Sequence, residues 1–178
     1  MRVFINPGHA PNGNPDPGAC GNGLRESDVV AEVGAAVAGY LEKAGCTVEL
    51  LQSDSLSEIS NTSNAWDADV FVSIHCNSAA NDDARGVETW SYPYSVNGAK
   101  LAQCIQDQIA GEFANIDEDF PDRGCKAANF HVVRETDAVA CLVELAFINN
   151  AEDALLLKKY ADNFARAIAR GVTDYENL

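Results

Sequence analysis

The stretch Val70–Asn77 reads VFVSIHCN, an apolar run that ends in a histidine, a cysteine and an asparagine. A continuous apolar run of this length is typical of a strand that is buried on both faces. Such strands occur in sheets that are covered by helices on both sides and are at least partly parallel. The stretch therefore predicts an inner strand of an α/β sheet, with polar side chains where the strand ends.

The sequence around this stretch alternates short apolar strands with amphipathic helices. The predicted strands are RVFIN (2–6), CTVELL (46–51), GVETWSY (86–92), NFHVV (129–133) and ACLVELAF (140–147). The predicted helices run from Ser27 to about Gly45, from Ser55 through Ala65, from Leu101 to Phe113 and from about Ala151 to Ala169. We expect a single α/β domain, residues 1–178, with a central mixed, mostly parallel twisted sheet flanked by helices on both faces.

Composition excludes several classes of function. The 12 basic and 27 acidic residues give a net charge of −15, which disfavours nucleic acid and anionic membrane surfaces as partners. The N-terminal residues contain neither a signal-peptide core nor a spanning segment. We therefore expect a protein that is made in the cytoplasm without a signal peptide. We also expect it to be a monomer. If its target lies outside the membrane, the protein acts there after release or export.

The six cysteines are scattered along a chain that is long enough to fold without disulfides. No CxxC pair occurs, which argues against a structural zinc ribbon. We expect free thiols, although Cys20, in the loop near His9, remains open as a soft metal ligand.

Two histidines lie at the carboxyl ends of predicted strands. His9 follows the first strand by three residues, and His75 closes the apolar run of the third. Ligands of open α/β sheets bind in the crevice beyond these strand ends, so both side chains are expected to face one site. His75 and Cys76 cannot form a catalytic pair, because consecutive strand residues point to opposite faces.

Two glutamates complete the candidate set. Glu144 is the only charge in CLVELAF, and a buried carboxylate must be paired, bound to a metal or held with a raised pKa. Glu26 opens the first long helix, where acidic residues commonly complement the helix dipole. His9, Glu26 and His75 can form a catalytic zinc set with Glu144 as the base. Hydrogen-bonded strand-end histidines and a helix-start Glu26 are the competing interpretation.

Five motifs in this order resemble the zinc-dependent N-acetylmuramoyl-L-alanine amidases of the amidase-3 family. They are INPGHA (5–10), LRESD (24–28), ADVFVSIHCN (68–77), DRGCKAANFHVVRET (122–136) and LVELAFINN (142–150). The resemblance covers nearly the whole chain, including the segment NAEDALLLKKYADNFARAIARGV (150–172) at its end. Several motifs in the right order are more specific than any one of them.

The resemblance implies a peptidoglycan hydrolase that cleaves the amide between N-acetylmuramic acid and the L-alanine of the stem peptide. It implies one Zn²⁺ per chain on His9, Glu26 and His75, with Glu144 as general base and then acid in the attack of water. Its polar cleft positions match Asn77, Arg123 and Arg134, which the resemblance therefore implies to bind substrate. His131 is expected to be a strand or cleft-wall residue.

Two positions depart from the family pattern. Asn6 stands where the family usually has aspartate, which predicts a weaker contact orienting His9. Ile59 stands where the family often has arginine, which predicts a changed local salt bridge.

Two other functions stay open on the sequence. A zinc carboxypeptidase acting on peptide ends would use Arg123 or Arg134 to grip the terminal carboxylate. A non-catalytic module that binds zinc or cell-wall fragments would have no use for the base Glu144. Biological role also stays open between a phage endolysin and a bacterial enzyme of autolysis or sporulation.

Overall fold

A computed structural model describes all residues, 1–178. The strands are β1 (Arg2–Pro7), β2 (Cys20–Gly21), β3 (Leu24–Arg25), β4 (Thr47–Leu50), β5 (Val70–Asn77), β6 (Val87–Ser91), β7 (Asp122–Ala127) and β8 (Val139–Phe147). The helices are α1 (Glu26–Lys43), α2 (Leu56–Trp66), α3 (Val96–Phe113), α4 (His131–Arg134), α5 (Ala151–Lys159) and α6 (Ala161–Glu176). No helix is both long enough and apolar enough to span a membrane.

Six strands form one sheet in the order β4-β1-β5-β8-β6-β7. All neighbouring strands run parallel except β6 and β8, which are antiparallel. The predicted mixed, mostly parallel sheet is therefore confirmed. VFVSIHCN forms β5, which lies between β1 and β8.

The two faces of the sheet are covered unequally. Helices α1, α3 and α6 pack on one face over a core of 32 buried residues. The other face has a cluster of only 7 buried residues, in which the rings of Phe4 and Phe71 stack 5.6 Å apart beneath Ile59 of α2. On that second face Trp90 of β6 is only partly buried. The second face therefore has room for a cleft.

The prediction of a strand at NFHVV is wrong. Phe130 instead caps α4, and Val132 and Val133 are buried against the small cluster on the second face. Packing of these two valines outweighs their intrinsic preference for strands. The strand in this region is instead the preceding segment DRGCKA, at the edge of the sheet, where it pairs only with β6. Edge strands commonly contain charged residues, so the polar sequence of this segment did not indicate a strand.

The single C-terminal helix predicted over residues 151–169 is also wrong in detail. Tyr160 has φ −123° and ψ 29°, which divides the segment into α5 and α6 and lets α6 continue to Glu176. The break allows α6 to pack along α1 and α3, where the rings of Phe164 and Phe113 stack 4.0 Å apart. The loop between His9 and Glu26 contains the short hairpin of β2 and β3.

A buried carboxylate at the start of α5 joins three elements near the edge of the sheet. The Asp153 side chain is fully buried and accepts hydrogen bonds from the backbone N–H groups of Gly86 and Phe147 and from Nε of Arg85. These bonds attach α5 to the beginning of β6 and the end of β8. Removing the carboxylate leaves two buried N–H groups and Nε of Arg85 without this acceptor.

We expect Asp153→Ala to lower the free energy of unfolding by about 3 kcal/mol, because it leaves the buried N–H groups of Gly86 and Phe147 without an acceptor and removes one of the three carboxylates around Arg85. The matched control is Glu152→Ala, since Glu152 also pairs with Arg85 but its side chain is 68% exposed. We expect the control to lose less than about 1 kcal/mol. Urea denaturation measures both, and equal losses in the two variants would contradict this role of Asp153.

Candidate metal centre and catalytic cleft

The carboxyl ends of β1, β5 and β8 place two histidines and a glutamate side by side. His75 of β5 and Glu144 of β8 are directly in register, and the N–H of Gly8 donates to the carbonyl of Ile74. His9 follows with a left-handed φ of 65°. A Cβ at Gly8 would overlap the His75 ring, so glycine is required where the loop crosses the strand end.

Glu26 lies between the two imidazoles. Its Oε1 is 2.9 Å from Nε2 of His9 and 3.0 Å from Nδ1 of His75. Candidate ligand atoms of the three residues all lie within 4.8 Å of one another. The structure thus brings together the three residues that the sequence nominated as metal ligands.

Backbone donors fix the Glu26 carboxylate, which is 3% exposed. Oε1 accepts from the N–H of Cys76 and Oε2 from the N–H of Ala19. Burial opposes ionisation, but hydrogen bonds to His75 and His9 outweigh it and hold the pKa of Glu26 well below its usual value. Glu26 is the first residue of α1, yet its side chain is directed to the histidines.

Asp16 orients His9 from the loop. Its Oδ2 lies 2.8 Å from Nδ1 of His9, while Oδ1 accepts from the N–H of Gly18. Burial disfavours the imidazolium, but hydrogen bonds to Glu26 and Asp16 outweigh it and raise the pKa of His9 to about 9. Carboxylates commonly hold metal-binding histidines in this way. Sequence reasoning missed Asp16, because nothing in a loop rich in proline and glycine indicates which side chain turns inward.

Asn6 does not contribute to the orientation of His9. Asn6 is buried, accepts a hydrogen bond from the Ser73 hydroxyl and donates to the carbonyl of Leu51, but it makes no hydrogen bond to His9. Asp16 provides the orienting contact instead. Ile59, the second departure, is 1% exposed and packs in the apolar cluster of the second face.

Glu144 has an unpaired oxygen. Its Oε2 is buried without a hydrogen-bond partner. Burial raises the pKa of Glu144 to about 7, and the negative charges of Glu26 and Glu88 add to this effect while His75 opposes it. A carboxyl group with a pKa near neutrality and an unoccupied oxygen is suited to proton transfer.

A cavity of about 400 Å³ joins these groups. Its lining comprises Asn6, Gly8, His9, Asp16, Ser53, Asp54, Leu56, Ile59, His75, Phe130, His131, Val132, Leu142 and Glu144. The apolar members come from α2, from α4 and its N-cap Phe130, and from β8. His131 is therefore a wall residue, on α4 and not on a strand, and its Nε2 lies 3.3 Å from the Ser60 hydroxyl.

The other residues nominated from the sequence lie outside this cavity. Asn77 and Arg123 both donate to the buried carboxylate of Glu88, at 2.8 and 2.6 Å. Arg134 is exposed on α4 and bonds to Glu135 and Asn129. All six cysteines are free, as predicted, and burial raises the pKa of Cys76 well above its usual value.

Glu88 is a second residue that sequence reasoning missed. It lies directly opposite Glu144 in the antiparallel pair of β6 and β8 and is 4% exposed. Glu144 is flanked by apolar residues in CLVELAF, whereas Glu88 lies in GVETWSY among polar and apolar residues, so its sequence context does not mark it as a buried carboxylate. Hydrogen bonds outweigh burial here and lower the pKa of Glu88, those from Lys126 and Arg123 being the largest.

These residues fit a metal ion. Two imidazoles and one carboxylate suit a divalent transition metal, and the three ligand atoms are already close together. Such a triad beside a carboxylate with a free oxygen is the arrangement of single-metal hydrolases.

The chain belongs to the family Amidase_3, described as N-acetylmuramoyl-L-alanine amidase, which it matches over residues 3–174. It is 38% identical over 177 residues to the sporulation-specific N-acetylmuramoyl-L-alanine amidase of Bacillus subtilis (strain 168). That match covers 96% of this chain and 65% of the relative.

Two solved structures share the whole fold. The N-acetylmuramoyl-L-alanine amidase AmiC2 of Nostoc punctiforme is 32% identical with a TM-score of 0.88, covering 100% of this chain and 98% of that one. The N-acetylmuramoyl-L-alanine amidase from Clostridium difficile 630 is 31% identical with a TM-score of 0.86, covering 99% and 96%. The predicted family resemblance is thereby confirmed.

In the metal-free protein, His9 should stabilise the fold in a pH-dependent way. Its folded-state pKa of about 9 lies above the ordinary 6.5, so its contribution is fully present below pH 6.5 and is lost as pH rises through about 9. We expect the difference in unfolding free energy between wild type and His9→Gln to shrink by about 2 to 3 kcal/mol between pH 6 and pH 10.

Urea denaturation in the presence of a chelator measures this difference. His131→Gln is the control, because this histidine lies in the same cavity beside a hydroxyl and not a carboxylate. A wild-type advantage over His9→Gln that stays constant or grows with pH would show that the imidazole is not held by Glu26 and Asp16.

Proposed function

We propose that this chain is a zinc-dependent hydrolase of the amide between the lactyl group of N-acetylmuramic acid and the L-alanine of the stem peptide. The main observation is the free Oε2 of Glu144, which lines the same cavity as His9 and His75, the two histidines of the triad with Glu26. Family membership supports the amide as the scissile bond. We further propose that residues 1–178 act as the catalytic domain.

His9, Glu26 and His75 would hold one Zn²⁺, which is the metal that their donor set favours. Each ligand has a partner that fixes its orientation or charge. Asp16 holds His9, the backbone N–H groups of Ala19 and Cys76 hold Glu26, and the β5 backbone places His75. When bound, zinc supplies Lewis acidity that polarises the carbonyl and lowers the pKa of a water molecule.

Glu144 performs the proton transfers in this mechanism. As a carboxylate, it removes a proton from the attacking water, and its free Oε2 is the atom that receives that proton. It then delivers the proton to the nitrogen of the departing L-alanine. In the metal-free protein, burial raises the pKa of Glu144 to about 7, so this carboxyl group holds a proton more readily than an exposed glutamate does.

The cavity provides orientation and limits access of water. Leu56, Ile59, Phe130 and Leu142 form an apolar wall of the cavity that His9 and His75 also line. Displacement of water from this wall strengthens electrostatic interactions within the site. Peptidoglycan or its muropeptides are the proposed partners, and the net charge of −15 makes recognition through the cleft more important than general surface attraction.

The test is the hydrolysis of purified peptidoglycan, with mass spectrometry of the products. Zinc-reconstituted wild type should release intact stem peptides, whereas the metal-free protein should not. We expect Glu144→Gln to lower kcat by about 10² to 10⁴-fold while it still binds zinc, because the amide cannot accept the water proton.

Glu32→Gln is the matched control, since Glu32 is exposed on α1, and it should retain activity. Release of single amino acids in place of intact stem peptides would indicate a carboxypeptidase. Zinc binding with no cleavage of any wall type would contradict an enzymatic role.

A further inference from the structure

The sheet face that carries Glu144 continues past it into a positively charged group. Glu88 is directly opposite Glu144, and Trp90, two residues further along β6, is in register with Lys126 of β7. Registered residues of neighbouring strands point to the same face, as do residues two apart on one strand. Lys126 therefore lies on the face that carries Glu144, two strands away from β8.

Glu88 holds two cations with a single carboxylate oxygen. Nε of Arg123 lies 2.6 Å and Nζ of Lys126 lies 2.5 Å from Oε2 of Glu88, while Asn77 donates to Oε1. Arg123 also lies over the Phe147 ring at 4.9 Å, and Lys126 over the Trp90 ring at 5.2 Å. These contacts restrict both long side chains, so their charges are positioned in advance.

The group carries an uncompensated positive charge. Two cations and one carboxylate give a net charge of +1, and the cationic side chains are 35% and 33% exposed. Arg85 illustrates the opposite case, since it is 14% exposed and pairs with Asp117, Glu152 and Asp153.

The distance from Glu144 suits a group of the substrate near the scissile bond. Neighbouring strands lie about 4.8 Å apart, which places the β7 backbone about 10 Å from that of β8. An extended peptide advances about 3.3 to 3.6 Å per residue. A side group on the second or third residue of a stem peptide can therefore reach Arg123 and Lys126 while the first residue lies beside Glu144.

We propose that Arg123 and Lys126, held by Glu88, form a carboxylate-binding subsite that recognises the free α-carboxylate on the stem-peptide residue after L-alanine. The inference rests on the proposed amidase function. Arg123 and Lys126 donate charge-assisted hydrogen bonds to this carboxylate, and amidation of the carboxylate replaces an anion with a neutral group. The subsite thus distinguishes an acidic stem peptide from an amidated one.

The experiment compares two muropeptides that differ only at this group, one with the free carboxylate and one with the carboxamide. For each protein we measure the ratio of kcat/KM for the acid to kcat/KM for the amide. This ratio does not depend on the active fraction of a preparation, so partial misfolding cannot produce the effect. Zinc-loaded wild type should prefer the acid about fivefold, chiefly through KM.

Lys126→Gln should reduce this preference to less than about twofold, and Lys126→Arg should restore most of it, because a cation is again present. Lys100→Gln is the control, since it removes the same charge from an exposed position on α3 and should keep the wild-type ratio.

Cleavage of both muropeptides with equal kcat/KM by wild type would overturn the subsite and leave the amidase function intact. A preference that Lys126→Gln retains, or that Lys100→Gln abolishes equally, would also overturn it. If wild type cleaves neither muropeptide, nor whole peptidoglycan, the proposed function fails and the subsite fails with it.

Discussion

The burial of one carboxylate, that of Glu26, is the constraint on which the site depends. An ionised carboxylate costs several kcal/mol to bury unless donors surround it. Here the donors come from separate parts of the chain. They are the N–H of Ala19, just before β2, the N–H of Cys76, near the end of β5, and the imidazoles of His9 and His75. Satisfying Glu26 therefore fixes the relative positions of the first helix, the long loop and the inner strand.

Because consecutive residues of a strand point to opposite faces of the sheet, one strand contributes both to the large core and to the catalytic cleft. In β8, Val143 and Leu145 contribute to the large core beneath α1, α3 and α6, whereas Leu142 and Glu144 face the cleft. Glu88 and Glu144 are opposite one another, yet only Glu88 has cationic partners. One carboxylate is thereby kept ionised, and the other keeps a free oxygen with a pKa near neutrality.

The sheet, its inner strands and three of the four residues proposed for metal binding and catalysis could be predicted because each leaves a strong local signal. His9 and His75 follow apolar strands, and Glu144 is a lone charge within one. Taken alone, Glu26 was better explained as a helix-start residue, and only the family resemblance decided in favour of a ligand. The strand predicted at residues 129–133 was wrong because tertiary packing of Val132 and Val133, and not their strand propensity, determines α4.

Asp16, Glu88 and Lys126 could not be found in the same way, because their roles depend on contacts between distant segments. Asp16 turns inward from an irregular loop, and Lys126 joins Glu88 across 38 residues of chain. Such contacts depend on loop conformation and on the order of strands in the sheet. The hydrophobic periodicity of the sequence predicts helices and strands but neither of these two features.

The most direct measurement of the central claim is anomalous diffraction at the zinc absorption edge, from crystals of the zinc-loaded protein. The account predicts one strong peak per chain, enclosed by His9, Glu26 and His75, with Glu144 facing it across the cavity. A peak at other residues, or no peak at the triad in crystals that contain stoichiometric zinc, would contradict it.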